Sequence, residues 1–168
     1  MKFTFLLFLF STGLLAAEVP CGKEGSLDDR IKNCNVTKEN FVLVARSETG
    51  IEIYKDTKSN LIWSDRISTD FNHYGSQKAC AGEIAELDLF KDLKWRLPTI
   101  REFEDSAAHG MKAALPHMTY WFWTSTPLKT KHRRRRAPPA QSFLWDGVEQ
   151  KSDAGDLKDA ASVRCVSR

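Results

Sequence analysis

The sequence lacks the short motifs by which many hydrolases and nucleotide-binding enzymes are recognised. It contains no G-x-S-x-G, no H-E-x-x-H and no glycine-rich phosphate loop. A candidate acid–base set of Asp65, His73 and Glu83 is scattered along the chain, and no spacing argument brings these residues together. We therefore predict that the protein is not an enzyme and uses no cofactor.

Metal-binding spacings are missing as well. The chain has four cysteines and four histidines, but it has no C-x-x-C. None of the histidines stands at a standard zinc spacing from a cysteine. The sequence therefore predicts no metal site.

Long apolar runs are absent except at the N-terminus. Phe3–Leu15 follows the positive start Met1–Lys2 and precedes the small residues Ala16–Ala17. This order is typical of a secretory signal peptide, and the run is shorter than the roughly 20 residues of a transmembrane helix. We predict a signal peptide at residues 1–17 and an exported protein, periplasmic or secreted to the cell surface. The alternatives are an uncleaved anchor and a lipoprotein start at Cys21.

No internal repeat and no glycine-serine linker divides the rest of the chain. About 150 residues remain after the signal peptide, a length that fits one domain. We predict an irregular N-terminal segment at 18–40, a single domain at 41–168 and no transmembrane segment in the mature chain.

The cysteines all follow the predicted signal peptide. They are Cys21, Cys34, Cys80 and Cys165. An even number in an oxidising compartment predicts two disulfides, for which three pairings are possible. Cys21 and Cys34 are close in sequence and most simply pair with each other, which leaves Cys80 with Cys165.

Hydrophobic patterning predicts several strands. Phe41–Ala45 and Ile51–Tyr54 flank a turn and predict a hairpin. Further strands are predicted at 61–63, 120–126, 141–148 and 162–167. Bulky side chains on both faces of the 120–126 strand indicate a central strand that is covered on both sides.

Two helices are predicted between these strands. Ser76 is the expected cap of the first helix, and Cys80 lies on its apolar stripe. Thr99 and Glu102 form a capping box that starts the second helix, and Gly110 fits its end. The predicted fold class is α+β, with two helices packed on a twisted antiparallel sheet and stabilised by disulfides.

Several elements occur in an order that resembles a known family. Residues 54–63 (YKDTKSNLIW) resemble D-x-x-T-G-L-x-W, residues 95–103 (WRLPTIREF) resemble W-R-L-P-T-x-x-E-[LF], residues 123–126 resemble W-[ST]-S-T, and residues 163–166 resemble V-R-C-V. Cys80 lies between the first two elements. Together, over roughly residues 50–168, they resemble the bacterial domain family named for the C-terminal domain of the Legionella collagen-like protein.

This resemblance implies a C-type-lectin-like fold and also the Cys80–Cys165 disulfide. Most of the family is uncharacterised, and its named member is a surface adhesin that binds sulfated glycosaminoglycans. The chain departs from the family in three respects. Lys58-Ser59-Asn60 replaces the usual turn, no collagen-like repeat precedes the domain, and the calcium-binding triplets of sugar-binding C-type lectins are missing. We therefore predict no calcium site.

The W-R-L-P-T-x-x-E element also has a structural interpretation. Trp95 and Leu97 are predicted to fill the core together with Trp63, and Pro98 precedes the helix cap. Arg96 is predicted to be buried between Trp95 and the second helix, where its guanidinium needs Asp65 or another carboxylate.

The Trp121/Trp123 face has two interpretations. The favoured one places these side chains in the core, because aromatic strands are most often core. The other is a platform on which a sugar stacks.

The strongest functional signal is a basic segment without any acid. Its cations are Lys129, Lys131, Arg133, Arg134, Arg135 and Arg136. The whole chain carries +3, the chain without Lys2 carries +2, and removal of the six cations leaves −4. Pro138–Pro139 follow and disfavour regular structure, so an exposed loop between two strands is predicted.

Arginine binds sulfate, phosphate and carboxylate well because its guanidinium donates two parallel hydrogen bonds. The segment therefore predicts a polyanion site for an acidic polysaccharide, a glycosaminoglycan or lipopolysaccharide, with Tyr120 or Trp145 nearby. Extracellular nucleic acid is possible on charge alone. We predict an exported, non-enzymatic binding module. The alternatives are a solvated loop without a ligand and a structural or protein-interaction domain.

Overall fold

A computed structural model describes residues 37–46, 51–67, 70–82, 93–128 and 141–168. The predicted signal peptide, Cys21 and Cys34 lie outside the described residues. So do Glu83 and the whole basic segment. The predictions that concern them stay predictions.

The described residues form a mixed α+β fold, as predicted, with three helices and eight strands. The strands are β1 (Thr37–Lys38), β2 (Phe41–Arg46), β3 (Glu52–Asp56), β4 (Ile62–Ser64), β5 (Trp121–Pro127), β6 (Gln141–Asp146), β7 (Lys151–Asp156) and β8 (Val166–Ser167). The helices are α1 (His73–Gly82), α2 (Ile100–Ala108) and α3 (Met111–Ala114). Two antiparallel sheets replace the single sheet that the sequence predicted, and α3 is a third, short helix.

The larger sheet has the strand order β1-β2-β3-β4-β8 and is antiparallel throughout. The predicted hairpin is β2 and β3, with an irregular register between Leu43 and Ala45. β1 extends this hairpin and falls within the segment that was predicted to be irregular. The C-terminal strand β8 returns to the edge of the sheet, where Val166 pairs with Trp63.

The smaller sheet has the order β5-β6-β7. β5 is an edge strand of this sheet, so the prediction of a central strand is wrong. The middle of β5 is still covered on both faces, because Phe122 and Trp123 are buried in different core clusters. The chain around Ser162 nevertheless bonds to β5: the Trp123 amide donates to the Ser162 carbonyl at 3.1 Å, and the Ser162 amide to the Trp121 carbonyl at 2.9 Å. No strand was predicted at β7, because its side chains are polar or small and four of its six residues are exposed.

Helix α1 begins one turn earlier than predicted. The Asn72 side chain caps it by accepting from the Gly75 amide at 2.8 Å. Ser76 is not the cap, because it is buried inside the helix and donates to the Asn72 carbonyl at 2.9 Å. Asparagine is as good an N-cap residue as serine, so the pattern alone could not choose between the two positions.

Helix α2 has the predicted boundaries. The Thr99 hydroxyl accepts from the Glu102 amide at 3.2 Å, and the Glu102 carboxylate accepts from the Thr99 amide at 2.8 Å. Gly110 follows the helix with φ of +94°, a left-handed conformation that favours glycine. The capping box and the stop are therefore confirmed.

The core consists of two clusters of buried side chains. One contains Trp95, Leu97, Trp123 and the half-cystines, and the other contains Trp63, Phe103, Phe122 and Trp145. This confirms the predicted core positions of Trp63, Trp95 and Leu97.

The Cys80–Cys165 disulfide is present as predicted, with a Cα–Cα distance of 5.5 Å. It ties α1 to the residue before β8. In the part of the chain that the structure describes, no helix is long and apolar enough to cross a membrane.

Candidate functional site: a cationic pocket beside the terminal strand

A pocket lies at the β8 edge of the larger sheet. Its cavity measures about 420 Å³ and is lined by Lys94, Arg96, Ser167 and Arg168. Two main-chain hydrogen bonds fix its walls, from the Arg96 amide to the Val166 carbonyl at 3.1 Å and back at 2.9 Å. The Ser167 hydroxyl adds a third by donating to the Lys94 carbonyl at 3.1 Å. The pocket is thus formed by two chain segments held in register.

One of the three cations in this pocket is neutralised. The guanidinium of Arg96 donates to both carboxylate oxygens of Glu102, at 2.8 and 2.6 Å. This pairing raises the pKa of Arg96 despite its partial burial. Burial acts to raise the pKa of Glu102, but the hydrogen bonds from Arg96 and Thr99 outweigh it and hold that pKa below its usual value.

Lys94 and Arg168 differ from Arg96, since neither forms an ion pair with any described residue. Both side chains belong to exposed residues. The pocket therefore presents two side-chain cations that form no ion pair with the described side chains, beside the hydroxyl of Ser167.

The prediction for Arg96 was right about a carboxylate partner and wrong about burial. Its side chain is 47% exposed, and its partner is Glu102 on α2 instead of Asp65. Glu102 lies in the first turn of α2, and its carboxylate accepts both hydrogen bonds from the Arg96 guanidinium. The guanidinium therefore lies at the start of α2.

Among the described residues, Arg164 is the arginine that is fully buried, and sequence reasoning did not single it out. Its side chain is fully buried and donates to the carbonyls of Ser64 and Pro116. Asp65 lies 3.7 Å away and is its nearest carboxylate. Burial lowers the pKa of Arg164 to about 10, while Asp65 acts in the opposite direction.

The aromatic residues of β5 divide between core and surface. Trp123 is fully buried, and its indole N–H donates to the Phe71 carbonyl at 2.8 Å. Trp121 is 38% exposed. The core interpretation therefore holds for Trp123, and only Trp121 remains available to a ligand.

Tyr120 and Trp145 were predicted to lie near the basic segment, and because that segment lies outside the described residues this stays a prediction. Trp145 is buried and stacks on Phe103 at 5.5 Å. Tyr120 is 39% exposed.

The described residues bring together no catalytic or metal-binding set. His73 Nε2 lies 2.9 Å from the Thr124 carbonyl. Ser106 and His109 both bond to Asp56, but no hydrogen bond joins the Ser106 hydroxyl to the His109 ring, so no activated nucleophile is formed. No cluster of three or more metal-ligating side chains occurs in this part of the chain.

No family model matches the chain, and no curated protein matches it. The resemblance to the Legionella collagen-like domain family therefore stays a prediction that rests on the quoted motifs.

Proposed function

We propose that this chain is an exported, non-enzymatic binding module of C-type-lectin-like fold that binds polyanionic glycans or other anionic surface polymers. The observation that carries the proposal is the cationic pocket, where the side chains of Lys94 and Arg168 line a cavity and form no ion pair with a described side chain. Such cations attract sulfate, phosphate and carboxylate groups.

The strand that precedes the basic segment in sequence, β5, supports the same conclusion. Near the end of β5, the Thr126 hydroxyl accepts from the Ile100 amide at 3.0 Å. Ile100 begins α2, and Glu102 on that helix holds Arg96 at the wall of the pocket. The strand that leads into the basic segment therefore contacts the same helix start that supports the pocket.

The lectin-like fold and the export are part of this proposal. Support for the fold comes from the two antiparallel sheets and from the disulfide that joins α1 to the terminal strand. Support for export comes from the N-terminal pattern and from the disulfide, since such bonds persist in oxidising compartments.

Heparin chromatography of the chain from residue 18 onward tests the function. Two variants are compared with the parent: Lys94→Ser/Arg168→Ser, and Arg133–Arg136 replaced by serine. Both should elute at lower salt, because fewer cations contact the polymer. Lys58→Ser/Lys158→Ser removes two exposed cations that do not line the pocket and is the matched control. It should elute close to the parent.

Equal elution of all four proteins would contradict polyanion binding through these sites. That result would favour the alternative, a structural or protein-interaction domain without an anionic ligand. If the variants do elute earlier, glycan-array binding at two salt concentrations shows whether the anion comes from an acidic polysaccharide, a glycosaminoglycan or lipopolysaccharide.

A further inference from the structure

A second group of cations lies away from the cationic pocket, beyond the other end of β4. Ser167, which lines the pocket, pairs with Ile62 at the start of β4. Arg66 follows the end of this strand, four residues further along the chain. At strand spacing this corresponds to about 13 Å. Substitutions in the two places can therefore be made independently.

Positive charge is in excess around Arg66. The Asp65 carboxylate accepts from the Arg66 amide at 2.6 Å and lies 3.7 Å from the guanidinium of Arg164. Asp65 is thus the carboxylate nearest the Arg164 guanidinium, whereas the Arg66 guanidinium forms no ion pair with a described residue. The Nε atoms of Arg66 and Arg164 are both buried and have no hydrogen-bond partner. No described residue supplies the second anion that would balance this charge.

The partly exposed aromatic side chain of Tyr120 lies beside Arg66. The Arg66 guanidinium lies 4.3 Å from the centroid of the Tyr120 ring. Tyr120 is 39% exposed and its neighbour Trp121 is 38% exposed. Val148 is also exposed, and the Gly147 amide bonds to the Tyr120 carbonyl at 3.0 Å. Three of the five large hydrophobic side chains that are exposed in the described residues therefore lie at this end of the smaller sheet.

We propose that Arg66 and Tyr120 form a subsite for one acidic saccharide unit of an anionic polysaccharide. The carboxylate or sulfate of that unit accepts hydrogen bonds from Arg66, and the apolar face of its ring packs on the exposed part of the Tyr120 ring. An anionic unit is favoured over a neutral sugar because it supplies the charge that Asp65 alone does not balance. This subsite rests on the proposed function and assigns part of the binding to residues outside the pocket.

The planar guanidinium is the feature that the proposal uses. Held over the Tyr120 ring and without a carboxylate pair, it can donate to an oxyanion with two N–H groups at once. A lysine at this position keeps the charge but loses this geometry. Arg66→Lys therefore separates directed hydrogen bonding from charge attraction.

Titration of a fluorescent heparin-derived hexasaccharide into the chain from residue 18 onward tests the subsite. Tyr120→Ala and Arg66→Lys should each weaken binding about fivefold, the size expected for losing one aromatic or arginine contact. Tyr74→Ala is the matched control, because Tyr74 is also exposed and also lies against a cation, Lys78, at 4.6 Å. It should stay within about twofold of the parent. Unchanged thermal unfolding midpoints confirm that each variant is folded.

The outcomes separate this proposal from the proposed function. If the parent binds and all three variants bind equally well, the subsite is wrong while polyanion binding stands. If the parent does not bind the hexasaccharide, the subsite is wrong, and the heparin chromatography of the parent and its variants decides the proposed function separately. The same titration is carried out with a hyaluronan hexasaccharide, which is acidic, and with maltohexaose, which is neutral. Binding of the neutral sugar as tightly as the acidic ones would overturn the assignment of an acidic unit.

Discussion

The Nδ1 atom of His109 lies 2.7 Å from Oδ2 of Asp56, and this contact joins the end of α2 to the turn after β3. The same carboxylate accepts from the hydroxyls of Ser59 at 2.7 Å and Ser106 at 3.0 Å. Main-chain amides of Lys58 and Ser59 complete the set. The Asp56 side chain is fully buried. Its carboxylate accepts hydrogen bonds from two separate parts of the fold, residues 58–59 after β3 and the end of α2.

Replacement of Asp56 should therefore destabilise the domain strongly. Asp56→Ala leaves buried donors without an acceptor, and we expect the free energy of unfolding to fall by about 3 kcal/mol. Urea unfolding followed by tryptophan fluorescence measures the change. Glu104→Ala removes an exposed carboxylate from α2 and should change stability by less than about 0.5 kcal/mol. A similar small change for both variants would show that the Asp56 contacts are not stabilising.

Acid should destabilise the domain through the same carboxylate and through Glu102. Burial acts to raise the pKa of Asp56, but hydrogen bonds from His109, Ser59 and Lys58 outweigh it, and the pKa is lowered. A carboxyl whose pKa is lower in the folded state stabilises above its unfolded pKa, which is about 4. That stabilisation is lost as the pH falls through the folded-state pKa.

Unfolding free energies measured from pH 6 to pH 2 test this. They should fall below about pH 4 in the parent, and less steeply in Asp56→Asn, where one of the titrating groups is missing. Parallel pH profiles for the parent and this variant would contradict the assignment.

The sequence was most informative where local chemistry decides the structure. The start of α2 followed from the pattern of Thr99 and Glu102, because a capping box uses only neighbouring residues. Gly110 marked the end of that helix for the same reason. The larger hairpin was predictable from the apolar runs of β2 and β3.

Tertiary contacts decided the features that the sequence did not show. Arg96 and Arg164 both occur in motif elements, yet only the fold reveals that Arg164 is the buried one. Lys94 and Arg168 carried no signal, because they are single cations that become neighbours only when β8 pairs with the 94–96 segment. The polar strand β7 lacked the alternation that would have identified it.

Arg164 should be essential to the stability of the β4–β8 region. Arg164→Ala opens a cavity and leaves the carbonyls of Ser64 and Pro116 without their donor, so we expect a loss of about 3 kcal/mol or more. Arg164→Lys should also destabilise, because an ammonium group lacks the fork that reaches both carbonyls. Denaturant unfolding compares these variants with Arg101→Ala, which removes an exposed arginine. Parent-like stability of Arg164→Lys would show that charge, not geometry, matters at this position.

The Cys80–Cys165 disulfide should stabilise the folded state more than the predicted Cys21–Cys34 disulfide does. It spans 85 residues of sequence, and a loop of this length stabilises by about 4 kcal/mol in the chain-entropy model. Cys80→Ser/Cys165→Ser should therefore unfold at much lower urea concentration than the parent. Cys21→Ser/Cys34→Ser is the comparison variant and should lose less, since the predicted Cys21–Cys34 bond closes a shorter loop.

Thiol titration of the oxidised, unfolded proteins completes this test. The parent should expose no free thiol, and neither should the Cys80→Ser/Cys165→Ser variant if Cys21 and Cys34 pair with each other. Two thiols in both proteins would show that the predicted Cys21–Cys34 bond is absent. A larger loss of stability in Cys21→Ser/Cys34→Ser than in Cys80→Ser/Cys165→Ser would contradict the argument from loop length, because the shorter loop restricts the unfolded chain less.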